Sequence, residues 1–118
     1  MNFNPSIPIY LQIMDSIQQD IITGQLARGE RIESVRSLSE KYGVNLNTVQ
    51  RACTELERKG VINTQRGIGS FVTDDEGVIA KMKSDISTNM VTEFIQGMQR
   101  IGFSQEEILT VVGKALRK

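Results

Sequence analysis

The chain opens on an apolar stripe at helical spacing. In PIYLQIMDSIQQDIITG (residues 8–24) Ile9, Ile13, Ile17 and Ile21 recur at every fourth position, with Tyr10, Leu11, Met14 and Ile22 alongside. Gln12, Asp15, Gln18 and Gln19 fill the opposite side. The spacing predicts an amphipathic helix, with Pro8 suited to its first turn and Gly24 to its stop. QLARGERIE then breaks the pattern and reads as a loop with a brief extended stretch at Ile32. A short second helix is expected from about Val35 to Tyr42. Ser34 is its natural N-cap, Val35 and Leu38 face inward, and Gly43 supplies a left-handed exit.

A third helix follows almost at once, capped by Asn45. It carries Val49, Ala52, Cys53 and Leu56 on its apolar side and ends at Gly60. Two helices joined by so tight a glycine turn cannot run antiparallel and must cross steeply as a helix-turn-helix. Next come two short β-prone runs, VINTQ and SFVTD, around RGIG. Val61, Ile62, Phe71 and Val72 can cover the helices while Gly67 and Gly69 permit a sharp hairpin. The order α, α, α, β, β predicts a winged helix-turn-helix.

Beyond Asp75 the composition shifts. Ile79, Met82, Ile86, Met90, Phe94, Met98 and Ile101 recur at steps of three and four, which predicts one long helix from Gly77 to Arg100. Gly102 ends it. Ser104-Gln105-Glu106-Glu107 is a capping box for a last helix, and Phe103 with Ile108 occupies the two positions of a hydrophobic staple. That helix carries Ile108, Leu109, Val111, Val112, Ala115 and Leu116. The fold class expected is therefore mainly α with a small β-hairpin wing. A winged helix-turn-helix domain at residues 1–75 precedes a two-helix region at 76–118.

Composition narrows the chemistry. In 118 residues there is one cysteine and no histidine, so no intrachain disulfide, Cys/His zinc cluster, Ser-His-Asp triad or Cys-His pair can be assembled. No metal and no organic cofactor are expected, and no enzyme; a hydrolase built on the Asp74, Asp75 and Glu76 carboxylates is the distant alternative. Cys53 lies on the apolar register and reads as a small buried hydrophobe. No apolar run approaches the roughly 18 residues of a spanning helix. The start MNFNPSIP lacks the basic-then-apolar layout of a signal peptide, so a cytoplasmic location with no membrane partner is expected.

Net charge is zero, yet its distribution is uneven. Between residues 34 and 73 stand Arg36, Lys41, Arg51, Arg58, Lys59 and Arg66 against Glu40, Glu55 and Glu57, which permits a local positive patch.

The start of the third helix is the informative place. Its first turns offer Asn45, Leu46, Asn47, Thr48 and Gln50 outward. In a helix-turn-helix the second helix of the motif enters the major groove by its N-terminal residues. Asn and Gln donate and accept in one plane and so match adenine's edge, Thr bonds base or phosphate, and an exposed leucine can meet a thymine methyl. The plainer reading is that Asn45 caps and the others are solvated; the glycine hairpin in the right order and spacing favours DNA. At its tip Arg66, Gly67, Ile68 and Gly69 let backbone approach a phosphate or the minor groove. Arg36 suits a phosphate or guanine, or else an ion pair with Glu33 or Glu40. Arg51 suits a phosphate; Arg58 and Lys59, farther along, read as solvated or structural. Ser34 completes the candidate DNA-facing set. The alternative to a double-stranded DNA operator as partner is a winged helix that binds protein.

The stretch from PIYLQI through SVRSLSEKYGV and NTVQRACTELERKGVI to GIGSFV resembles the DNA-binding domain of the GntR family of bacterial transcription regulators. The short helical remainder resembles the YtrA subfamily. The resemblance implies that Arg36 contacts DNA, that Asn45 to Thr48 and Gln50 are reading positions, and that Gly67 with its neighbours forms the wing tip. It also implies a dimerising tail and a repressor, often of an ABC-type transporter operon. Glu33 departs from the proline usual ahead of SVR, and Leu46 from a polar or basic reader.

The tail carries more apolar surface than two helices can hide. Ile79, Met82, Ile86, Met90, Phe94, Met98, Ile108 and Val112 are the candidate contacts to a second copy, giving a two-fold homodimer on an inverted repeat. Residues 76–118 leave little room for a closed ligand chamber of the usual ~300 Å³ or more, so a small-molecule effector, itself of unknown class, would need a cleft.

Overall fold

A computed structural model of the protein describes residues 2–118. Seven elements follow in order: α1 (Ile9–Ile22), α2 (Val35–Tyr42), α3 (Leu46–Arg58), β1 (Ile62–Gln65), β2 (Gly69–Val72), α4 (Glu76–Arg100) and α5 (Gln105–Leu116). The winged helix-turn-helix order is as the sequence predicts. The chain divides into two compact units, Met1–Met82 and Lys83–Lys118, the division falling within α4.

In the first unit α3 is the central element, packed on α1, α2 and β1. Its Val49, Ala52 and Leu56 are fully enclosed, and Cys53 nearly so. Ile13, Ile17 and Ile21 of α1, Leu38 and Tyr42 of α2, and Val61, Ile62 and Val72 around the hairpin complete the core. Each large aliphatic side chain so enclosed contributes about 1.5–3 kcal/mol, which makes this cluster the main stabilising force. The Tyr42 hydroxyl also donates to Ser16 Oγ at 3.1 Å, tying α2 to α1.

Local signals set the element ends. Ser34 Oγ accepts from the Ser37 amide at 3.0 Å and caps α2. Gly43 ends α2 in the left-handed conformation, its amide bonding Ser39 O at 2.9 Å. The Ser39 hydroxyl then donates to Val44 O, fixing the turn that delivers the chain to α3.

Strands β1 and β2 pair antiparallel from Ile62↔Val72 to Gln65↔Gly69. The extended stretch expected near Ile32 also joins the sheet. Arg31 bridges Phe71, Ile32 N bonds Ser70 O at 2.8 Å, and Val72 N bonds Glu30 O at 2.9 Å. Strand β2 is thus held on both sides, by β1 and by the segment before α2.

Three expectations are corrected. Gln18, expected on the polar side of α1, is only 3% exposed where α1 packs on α3, and its Oε1 accepts from Lys59 Nζ at 3.2 Å. Ile9 and Leu11, counted with the apolar stripe, are instead exposed. Val35, taken as inward, is only half-buried.

In α4 the start is set by Asp75, whose Oδ1 accepts from the Gly77 amide at 2.8 Å and from Val78 at 3.4 Å. In the second unit Ser104 and Glu107 form the capping box of α5: Glu107 N donates to Ser104 Oγ at 3.2 Å and Ser104 N to Glu107 Oε1 at 3.0 Å. Donation from the Ser104 backbone N–H, with the Ser104 side chain second, favours the ionised carboxylate and holds the Glu107 pKa below the ordinary glutamate range. Among the described residues, no helix is long and apolar enough to cross a membrane.

Candidate nucleic-acid interface

The two faces of α3 separate cleanly. Val49, Ala52, Cys53 and Leu56 are buried, whereas Leu46, Asn47, Gln50, Arg51 and Thr54 are exposed. The exposed set lies at i, i+1, i+4, i+5 and i+8, one stripe along the helix. Leu46 is 41% exposed with only polar and charged neighbours on that stripe.

Asn45 Oδ1 accepts from the Thr48 amide at 2.9 Å, so this residue caps α3. Thr48, expected to point outward, is half-buried. Gln50 Nε2 donates to Thr54 Oγ1 at 3.3 Å, a long bond that orients its amide on the exposed stripe. The free amides of the first turn of α3 and the polar stripe therefore share one end of the helix, where partial positive charge favours an anion.

The basic residues sort by whether they already have partners. Arg58 pairs with Glu55 at 2.7 Å and Lys59 donates to Gln18, in keeping with their structural reading. Arg36 is exposed, and among the described residues it has neither ion pair nor hydrogen bond. The pairing with Glu33 that would have neutralised it is not made: Glu33 accepts from Ser37 Oγ at 2.9 Å and meets Lys41 Nζ at 3.5 Å. Arg66 is likewise exposed and unpaired at the hairpin tip. Ser34, by contrast, is committed to capping α2.

The tip is the three-residue loop Arg66-Gly67-Ile68, closed by Ile68 N bonding Gln65 O at 2.9 Å. Gly67 has φ +78°, which a side chain resists, and the space around it is open. Ile68 is exposed beside it. Beside the tip a further contact appears, one without a local sequence pattern. The Arg31 guanidinium lies against Gly69 so closely that a Cβ there would sit 2.7 Å from Arg31 Nε. A second unanticipated contact places the Arg51 guanidinium 3.9 Å from the centre of the Tyr10 ring. Neither has a sequence signal, because both join segments that are distant along the chain.

Two of the three carboxylates offered by the hydrolase alternative have structural partners. Asp75 caps α4, and Glu76 pairs with Arg28 at 2.8 Å. Among the described residues no group of three or more His, Cys, Asp and Glu side chains could hold a metal ion. Cys53 is buried, and desolvation, with the Glu57 charge second, pushes its thiol pKa up.

The candidate dimer contacts divide. Met82 and Ile108 are 6% and 8% exposed within the single chain, and Ile79, Ile86, Met98 and Val112 are half-buried. Met90 is 66% exposed and Phe94 42%, and Val91, Ile95, Ile101, Leu109, Val111 and Leu116 join them on the surface.

Comparison with known proteins agrees with this geometry. Residues 9–72 match the family model described as bacterial regulatory proteins, gntR family. The HTH-type transcriptional regulator YhcF of Bacillus subtilis is 35% identical over 107 residues, 91% of this chain and 88% of that protein. The HTH-type transcriptional repressor YtrA of the same species is 31% identical over 100 residues, covering 80% and 77%. A solved GntR family transcriptional regulator from Listeria monocytogenes matches with a TM-score of 0.88 and 39% identity, over 95% of this chain and 98% of that one.

Proposed function

The chain belongs to the gntR family of bacterial regulatory proteins, and from that premise we propose that it works as a homodimeric repressor on an inverted-repeat operator. It is a DNA-binding transcription regulator and not an enzyme. In our reading residues 1–75 bind DNA, residues 76–118 dimerise, and the protein acts in the cytoplasm.

The observation that carries the reading is the uncommitted polar and basic edge of the first unit. Asn47 and Gln50 stand exposed on one stripe with Leu46, and Arg36 and Arg66 have no carboxylate partner among the described residues. In this scheme Asn47 and Gln50 read base edges, and Leu46 meets a thymine methyl. Asn45 and Thr48 set the helix start against a phosphate. Arg36, Arg51 and the Arg66-Gly67-Ile68-Gly69 tip hold the backbone, while Ser34 holds the helix from which Arg36 projects. Unpaired arginines cost nothing to free from internal ion pairs, so their full charge is available for counterion release.

Dimerisation is supported by the exposed Met90, Val91, Phe94 and Ile95, two adjacent i, i+4 pairs on α4. A contiguous exposed apolar strip is the kind of surface that partners cover, and a second copy supplies a matching one. Two-fold pairing in turn presents two α3 edges to two half-sites of opposite direction. Repression is supported by the likeness to YtrA, which is named as a transcriptional repressor.

A gel shift with the DNA upstream of the protein's own gene, read beside sedimentation of the complex, tests the proposal. Two copies per duplex, with affinity falling steeply in salt, are expected. Absence of binding at low salt, or one copy per duplex, contradicts it.

A further inference from the structure

Tyr10 stands in the first turn of α1, half-buried, and α1 packs on α3. Its ring faces the Arg51 guanidinium, whose carbon is 3.9 Å from the ring centre. That is well inside the ~6 Å range of a cation–π contact. We propose that Tyr10 is a positioning residue for DNA binding: it holds Arg51 at the exposed edge of α3 in the conformation that meets a phosphate. The inference rests on the reading of Arg51 as a phosphate contact and extends it to a residue of another helix.

Three features support it. First, stacking occupies the flat face of the guanidinium and leaves the five N–H groups around its edge free to donate. The ring therefore fixes the arginine without consuming its hydrogen bonds, unlike the carboxylate that occupies Arg58. Second, Arg51 follows Asn47 by four residues and adjoins Gln50 on the exposed stripe, so a fixed Arg51 sets the register in which those amides would meet bases. Third, the chain entering α1 is itself tied down. Gln12 Nε2 donates to Asn4 O at 2.8 Å and to Ile7 O at 2.9 Å, and Asn4 N donates to Gln12 Oε1 at 2.8 Å. The turn that carries Tyr10 is thus a firm platform. A long flexible side chain that is pre-set in this way loses less freedom on binding.

The test is a double-mutant cycle of Tyr10→Leu and Arg51→Ala. Affinity and salt slope are measured by fluorescence anisotropy on the best duplex selected from random-sequence DNA, and folding is checked by thermal melting. Arg51→Ala is expected to weaken binding and lower the salt slope by about one contact. Tyr10→Leu is expected to weaken binding about three- to tenfold in the presence of Arg51 and not at all in its absence. Tyr10→Phe, which keeps the ring, should bind as the parent does. Successive fluorination of that phenylalanine drains the ring's negative face at constant shape, so affinity should fall stepwise; this variant serves even if leucine impairs folding. An equal loss from Tyr10→Leu with and without Arg51, or no response to fluorination, overturns the positioning role while leaving Arg51 at the DNA. An Arg51→Ala protein with unchanged affinity and slope removes Arg51 from the interface, and Tyr10 with it.

Discussion

The side-chain oxygen of Asn45 accepts a hydrogen bond from the backbone N–H of Thr48, three residues on, at 2.9 Å, so the residue that opens α3 also stabilises it. Capping and DNA contact can be separated at this position. Asn45→Ala removes the cap and is expected to cost about 1 kcal/mol in a thermal or urea melt. Asn45→Asp keeps a capping oxygen and suits the positive helix end, so stability should hold. Its new negative charge should nevertheless weaken DNA binding. An aspartate variant that binds as tightly as the parent would place this edge away from DNA.

Arg36 and Gln50 are expected to fail in different ways. Arg36 has no internal partner among the described residues, so Arg36→Ala should leave folding intact and weaken binding to every sequence alike. The slope of log affinity against log salt should shrink by roughly one. Gln50→Ala should relax preference at one base position, losing about 1–3 kcal/mol of discrimination there. Titration of each variant on matched and mismatched duplexes distinguishes the two patterns.

Much of this architecture was legible in the sequence because the decisive signals are local. Ser34, Asn45 and Ser104 cap the helices they open, Gly43 ends α2, and the buried set of α3 follows its apolar spacing. What escaped was long-range. Gln18 looks solvated until Lys59, from the end of α3, reaches it. The pairing of residues 30–32 with β2 is made by backbone atoms, which leave little trace in side-chain pattern. Arg31 against Gly69 and Arg51 over Tyr10 were hidden for the same reason: each joins residues that only folding brings together. On the tail, spacing gave one stripe of equivalent positions, whereas Met82 is already covered in the single chain and Met90 is not.

That difference directs a test of dimerisation. Phe94→Asp puts a charge on the exposed part of the α4 stripe, and sedimentation should show one chain where the parent shows two. Operator affinity should fall on the order of a hundredfold as the second half-site becomes an independent event. A variant that stays dimeric would move the interface elsewhere.

Cys53 supplies a chemical probe of the core. Burial raises its thiol pKa, so less of the reactive thiolate exists in the folded chain at neutral pH. Labelling by a disulfide reagent should be slow in the native protein and fast once denatured. In alkali the unfolded thiol ionises before the folded one, so stability should decline as pH rises through the ordinary thiol range. Cys53→Ala should lack that part of the decline.

The account depends most on α3 presenting its polar edge to a duplex, twice over. Selection of bound sequences from random double-stranded DNA tests this most directly. It should return two half-sites in inverted orientation, spaced by about one helical turn or a multiple of it, and the Gln50→Ala protein should lose preference at the same position in each half. Recovery of no common sequence, or of one half-site alone, would contradict it.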